Sequence, residues 1–198
     1  MGKRLFDILG SLAGLVITLP LYPFIAAAIR LDSPGPIFYC QSRVGLNGKP
    51  FTILKFRTME HGADSQRHLT TKVDSRITGA GQWLRRTKLD EIPTFMNVLK
   101  GEMSLVGPRP ERQVYVSHYT PEQLQVLSVR PGITDLGTLR FVGEADLLGD
   151  EANFENIYIR NILPEKLRLN LEYIANRSFW YDIRILLSTL LGLVRNKE

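Results

Sequence analysis

Residues 8–29 read ILGSLAGLVITLPLYPFIAAAI, and no charge interrupts them. About 20 apolar residues cross the hydrocarbon core of a bilayer, so length and composition alone fit a transmembrane helix. Two features argue for another path. Pro20 and Pro23 fall in the middle of the run. Each removes a backbone donor and drives its ring against the carbonyl four residues earlier, so a sharp kink is expected there. The flanks are basic on both sides, with Lys3 and Arg4 before the run and Arg30 after it. Basic flanks prefer the cytoplasmic face. A bent, re-entrant helix keeps both there, provided the backbone groups freed at the bend find partners. Thr18 is placed to supply one. No small-x-small cleavage site precedes a plausible mature domain, so a removed signal peptide fits poorly.

Asp32-Ser33-Pro34-Gly35-Pro36 breaks the helix and marks a boundary between a membrane segment, 1–31, and a domain on the membrane surface, 32–198. Ile37–Val44 and Phe51–Met59 read as strands, with the hairpin signal Asn47-Gly48 between them. In the second strand Phe51, Ile53, Lys55 and Arg57 share one face by alternation. Its two cations are either solvated or hold phosphate. Residues 61–73 are polar and unpatterned and read as a loop; 79–89 read as a helix with Arg85, Arg86 and Lys88 near its end. Thr120-Pro121-Glu122-Gln123 is a capped helix start, and Val129–Thr134 a rigid turn that ends the helix. Pro164 opens a helix to about Ala175. Ser178 caps a last one, Phe179–Val194, whose Ile183, Leu186, Leu187, Leu190, Leu191 and Val194 form an apolar face. Core packing is the plainer expectation for that face. The alternative lays the helix in the membrane interface, with Trp180 and Tyr181 at headgroup level. The whole reads as α+β, mainly helical: a re-entrant membrane helix, a small β-hairpin and amphipathic helices.

The chain has 198 residues and a formal net charge of +5, which suits an anionic partner. Nucleic acid is the weakest choice, because no zinc-finger spacing, RNP-like aromatic pattern or homeodomain-like helix set is present. Lipid headgroups and phosphorylated substrates remain. Cys40 is the only cysteine, so a disulfide within the chain and a cysteine-based zinc site are both excluded. His61, His68 and His118 have no metal-motif spacing.

Leu89-Asp90-Glu91-Ile92-Pro93 carries two adjacent carboxylates, and Gly107-Pro108-Arg109-Pro110 follows. With Asp90 as N-cap, proline is tolerated in the first turn, Ile92, Met96 and Leu99 stripe one face, and Gly101 stops the helix. Ordinary capping would explain the pair. The chemical reading is richer. Two carboxylates plus substrate phosphate oxygens suit Mg²⁺, which takes few protein ligands. An ionised aspartate also attacks phosphorus, dividing one displacement into two. Arg109, set between two prolines, offers a preorganised fork for phosphate.

With these blocks quoted, the chain resembles the monotopic phosphoglycosyl transferases, the bacterial sugar transferase family. The resemblance also rests on Arg4-Leu5-Phe6-Asp7, Asp32–Phe38, Lys55-Phe56-Arg57-Thr58-Met59, Asn97–Pro110 and Arg130-Pro131-Gly132-Ile133-Thr134. It implies transfer of a sugar 1-phosphate from a UDP-sugar to polyprenyl (undecaprenyl) phosphate, with release of UMP and a need for Mg²⁺. It implies Asp90 as nucleophile, Glu91 as metal ligand or acceptor-assisting base, and Lys55, Arg57, Arg109 and Arg130 on substrate phosphate. It also implies a membrane helix bent at proline and a place on the cytoplasmic face of the bacterial inner membrane. Such a step opens glycoconjugate synthesis: O-antigen, capsule, exopolysaccharide or protein glycan. Three departures stand out. Pro20 follows Leu19 where many members have Ser-Pro. Asp135-Leu136-Gly137-Thr138 replaces a common Gly-Trp-Ala-Gln. Asn170 stands where many have aspartate. The C-terminal apolar helix permits a homodimer. The rival reading is a non-catalytic basic membrane-binding protein, in which the carboxylates only cap.

Overall fold

The computed structural model describes residues 2–63, 69, 74–140 and 154–195. Most of the expected 61–73 loop, including His68, therefore lies outside the described residues. The architecture is α+β and mainly helical, as the sequence implies. Helix α1 (Gly2–Thr18) and helix α2 (Tyr22–Asp32) are joined by one 3-10 turn, Leu19–Leu21, at the two prolines. Thr18 Oγ1 donates to the Gly14 carbonyl at 2.7 Å, beside the bend.

Both ends of this segment touch the same domain. At the start, Arg4 donates to the carbonyls of Val98 and Leu99, and Asp7 accepts from the Ser104 hydroxyl and the Leu105 amide. At the far end, Ile25 and Ile29 are buried against Phe56, Leu84 and Ile92. Asp32 accepts from the Ala80 amide at 2.9 Å. Between these docking points the apolar surface is open: Ile17 and Phe24 are each 74% exposed.

Strands β1 (Phe38–Val44) and β2 (Pro50–Phe56) pair antiparallel, Phe38 opposite Phe56 and Val44 opposite Pro50. The five-residue loop between them puts Asn47 and Gly48 at φ 56° and 75°, the left-handed region that asparagine and glycine tolerate. The second strand ends earlier than the sequence suggests. Past Phe56 the chain leaves the ladder, and Met59 makes only an isolated bridge to Ile77.

Helix α3 (Gly79–Thr87) is capped by the Thr78 side chain, which accepts from the Gly81 amide. Lys88 then adopts φ 57° and turns the chain into a 3-10 segment, Leu89–Thr94, which runs on as helix α4 (Phe95–Lys100). This corrects two expectations. Asp90 caps nothing, because the local turn is 3-10 and no side-chain cap forms there. The inward stripe is Ile92 and Val98, with Phe95 packed beside Ile92, whereas Met96 faces out. Gly101, at φ 85°, ends the helix as read.

Two buried side chains weld this segment to the hairpin. Asn97 accepts from the Leu54 amide and donates to the Thr52 carbonyl and to Glu102. Thr94 donates to the Leu54 carbonyl at 3.0 Å. They satisfy the β2 edge that no third strand covers.

Strand β3 (Ser104–Val106) pairs parallel with strand β4 (Gly132–Thr134). The expected rigid turn at 129–134 thus ends in a strand. Gly107 and Gly132 cross in backbone contact, so close that a Cβ on Gly132 would lie 2.1 Å from the Gly107 nitrogen. Short helices α5 (Gln113–Val116), α6 (Leu136–Arg140) and α7 (Phe154–Ile157) lead to helix α8 (Leu163–Asn176). The Thr120–Gln123 box is reciprocal, each side chain accepting from the other's amide, although the segment that follows, Gln123–Ser128, is 3-10.

Helix α9 (Phe179–Arg195) meets the core-packing expectation only in part: Leu186 of the apolar face packs against Leu105, Val106 and Tyr173. Among the described residues Asp182 and Ile185 are its buried side chains, whereas Leu187, Leu190 and Leu191 are 54%, 58% and 69% exposed. The buried side follows Asp182, which accepts from the Tyr173 hydroxyl and the Lys3 ammonium.

Candidate active site

A cavity of about 580 Å³ opens between the hairpin, the 3-10 segment and the Gly107–Pro110 turn. Asp90, Glu91, Lys55 and Arg109 all line it. Each arrives by a local cause. The left-handed Lys88 turns the chain off the α3 axis just before the two carboxylates. The Asn97 and Thr94 clamps fix β2 beside that turn and so set Lys55 next to Glu91. The β3–β4 crossing, sealed by the Gly132 amide on the Pro108 carbonyl at 2.9 Å, holds the rigid turn that carries Arg109.

One oxygen of Glu91 accepts from both Lys55 Nζ and Arg109 Nη2, each at 2.6 Å. Burial alone would raise this carboxyl. The Arg109 guanidinium and the Lys55 ammonium outweigh it and hold Glu91 well below the ordinary carboxylate range. Asp90 goes the other way. Burial, then the neighbouring Glu91 anion, push it up, against the pull of Lys55, Lys88 and Arg85. Asp90 lies within the first turn of this 3-10 segment, with Lys88 rather than Asp90 at the N-cap. Asp90 Oδ1 is buried with no hydrogen-bond partner among the described residues. Two adjacent carboxylates therefore have separate conditions. Glu91 is held ionised by two cations, while Asp90 Oδ1 has no partner among the described residues.

This asymmetry is measurable. In metal-free protein, the Asp90 carboxyl followed by ¹³C NMR is expected to titrate above the usual aspartate range and Glu91 below the usual glutamate range. Glu91→Gln removes an anion that raises Asp90, so the Asp90 titration moves down. An unmoved or upward-shifted Asp90 contradicts this electrostatic account.

Two of the sequence candidates are not brought into this constellation. Arg57 is buried, and its Nε and both Nη atoms donate to the Pro36, Pro34 and Ser33 carbonyls and the Ser33 hydroxyl. It fastens the turn that follows α2, although it borders the cavity. Arg130 is exposed, donates from Nε to the Gly101 carbonyl at 2.8 Å, and lines a different cavity. Conversely, Arg85 and Arg43 line the site without having been singled out for it. Arg85 Nε donates to Thr58 Oγ1, and Arg43 Nη1 donates to the Pro110 carbonyl behind Arg109. The cluster at the end of the 79–89 helix was the available signal for Arg85; nothing local marked Arg43.

Among the described residues no group of three or more histidine, cysteine or acidic side chains stands together. Two carboxylates, one with an unclaimed oxygen, still fit Mg²⁺, which takes one or two carboxylates and completes its shell with water and substrate phosphate.

Comparison with known proteins is consistent across the chain. The family model described as bacterial sugar transferase matches residues 1–196. An undecaprenyl-phosphate glucose phosphotransferase of Komagataeibacter xylinus is 38% identical over 197 residues, covering 95% of this chain and 35% of the relative. A UDP-glucose:undecaprenyl-phosphate glucose-1-phosphate transferase of Caulobacter vibrioides is 36% identical, covering 97% of this chain and 69% of that protein. A UDP-N-acetylgalactosamine-undecaprenyl-phosphate N-acetylgalactosaminephosphotransferase of Aeromonas hydrophila is also 36% identical, covering 95% and 42%. The chain thus spans about a third to two thirds of these relatives' lengths, and equal identity accompanies different sugars.

Proposed function

The chain belongs to the bacterial sugar transferase family, and from that premise we propose that it moves a sugar 1-phosphate from a UDP-sugar to polyprenyl (undecaprenyl) phosphate and releases UMP. The observation that carries this reading is the buried, unpartnered Asp90 oxygen beside a Glu91 held ionised by Lys55 and Arg109. In the first half-reaction an oxygen of the Asp90 carboxylate, which lines the cavity, forms a bond to the β-phosphorus of the donor. The bond from that phosphorus to the UMP oxygen breaks, and UMP leaves. In the second, a polyprenyl phosphate oxygen attacks the same phosphorus and Asp90 is released as a carboxylate. Arg109 and Lys55 stand where negative charge accumulates, and Glu91 fixes both in place. Asp90 and Glu91 would hold Mg²⁺, which supplies charge neutralisation for the diphosphate.

The geometry supports a re-entrant membrane helix as well. Two ends docked on one domain are hard to reconcile with a bilayer between them, and the break at Leu19–Leu21 provides the bend. The domain then sits on the cytoplasmic face of the bacterial inner membrane. With Cys40→Ser as background, Gly2→Cys and Lys49→Cys should be labelled by an impermeant maleimide from the same side of sealed vesicles. Labelling from opposite sides defeats the re-entrant path.

The reaction is tested with purified protein, undecaprenyl phosphate and a panel of UDP-sugars, with UMP release as the readout. One donor should support turnover, and excess EDTA should stop it until Mg²⁺ is restored. No UMP from any donor would remove the transferase reading; full activity in EDTA would remove the metal.

A further inference from the structure

A second cavity, of about 660 Å³, shares no lining residue with the Asp90 cavity. Lys3, Arg4, Arg130 and Arg177 line it, and Asp7 is its only acid. Asp7 is already committed to the Ser104 hydroxyl and the Leu105 amide. Lys3 is paired with Asp182, and Arg4 is spent on the Val98 and Leu99 carbonyls. The other two cations are different. Arg130 uses only Nε, on the Gly101 carbonyl, and Arg177 makes no hydrogen bond or ion pair among the described residues. The cavity therefore has two guanidinium groups with donors to spare, and its one acid among the described residues, Asp7, is already engaged.

Its position indicates the ligand. The first turn of α1 and the first turn of α9 both form its wall, through Lys3 and Phe179. From there each helix carries an exposed apolar face: Leu5, Leu9 and Leu12 on α1, and Leu187, Leu190 and Leu191 on α9. Trp180, 77% exposed, stands next to the rim. Tryptophan and basic side chains favour headgroup depth. Both apolar faces thus begin at a cationic hollow at that depth.

We propose that this cavity binds the headgroup phosphate of an anionic phospholipid of the surrounding bilayer, between Arg130 and Arg177, with the acyl chains along the exposed apolar faces. A phosphate accepts from a guanidinium fork in a charge-assisted pair. A zwitterionic headgroup would bring its own cation into an already cationic hollow, so the site discriminates by charge. The inference rests on the membrane placement of the N-terminal segment and is independent of the transfer chemistry.

The test uses the full chain in nonionic detergent, with Trp83→Phe so that Trp180 reports alone. Dihexanoyl phosphatidylglycerol is expected to change its fluorescence saturably, and dihexanoyl phosphatidylcholine is not. Arg177→Gln should weaken binding about fivefold and Arg177→Lys should restore most of it, since one basic side chain near a membrane surface is worth about that much. The Arg130→Gln, Arg177→Gln double variant should lose saturable binding over the same range. Arg177 makes no hydrogen bond or ion pair among the described residues, so the thermal melt of its variants should match the parent. Asp90→Asn should bind phosphatidylglycerol like the parent, which separates this site from the transferase reading. Equal binding of both lipids, or parent-like binding by the double variant, overturns the proposal. Competition by inorganic phosphate at concentrations equal to the lipid also overturns it, because the site would then serve a soluble anion.

Discussion

Asp90→Asn should abolish UMP release, with a fall on the order of 10³-fold or more in turnover. The substitution keeps the size and shape of the side chain, so the 3-10 turn and the Glu91 pairings with Lys55 and Arg109 have no reason to move. What it removes is nucleophilicity, since a neutral amide oxygen does not displace UMP. The same experiment carries a stronger requirement. With donor alone, the parent protein should release UMP up to about one equivalent per site, and the variant none. Intact-protein mass spectrometry should show a phosphosugar adduct on a peptide containing Asp90. Sequential kinetics with no adduct, using a donor that supports turnover, would rule out double displacement. A variant with near-normal turnover would leave the carboxylates as structural groups in a membrane-binding protein.

Arg109→Ala should lower turnover by about 10²- to 10³-fold, the usual cost of removing a preorganised donor aimed at developing charge. Two effects combine. On the proposed mechanism the fork for the transferring phosphate disappears, and Glu91 is left with Lys55 as its remaining partner in that pairing. Arg109→Lys should recover only part of the loss, because an ammonium restores the charge without the fork. Near-parent kinetics of the alanine variant would refute the assignment. Glu91, itself only 17% exposed, loses the larger of the two cations that hold it ionised, so the thermal melt should fall and the kinetics are read well below it.

Much of this could be read along the chain where the signal was local. The two prolines gave the break at 19–21, Asn47-Gly48 gave the hairpin, and Thr120 with Gln123 gave the reciprocal cap. These depend on a few adjacent residues. Where reading failed, the deciding partner was distant. The β3–β4 pair joins three-residue strands some 28 positions apart, too short for any alternation to show. Arg57 alternates with Lys55 in sequence, yet the turn before β1 takes its donors. The outward face of α9 follows from Asp182, whose need for Tyr173 and Lys3 turned the buried side toward polar partners. For the site, the chemistry-bearing residue types were visible. That one Glu91 oxygen takes two cations while Asp90 takes none was not, because it depends on three segments meeting.

A spanning helix must match the thickness of the bilayer around it, by tilting, stretching or thinning the lipid. On the proposed re-entrant path the segment is fastened to the domain near both ends, at Arg4 and at Asp32, with the 3-10 turn at Leu19–Leu21 between them. Held in this way it would reach a depth set by its own length, whatever the distance to the far leaflet. Two fastenings would also resist the swivelling that a single stalk allows. The mouth of the Asp90 cavity would then keep one height and one angle over the lipid. An enzyme mounted on two points in this manner should work equally well in thin and in thick bilayers.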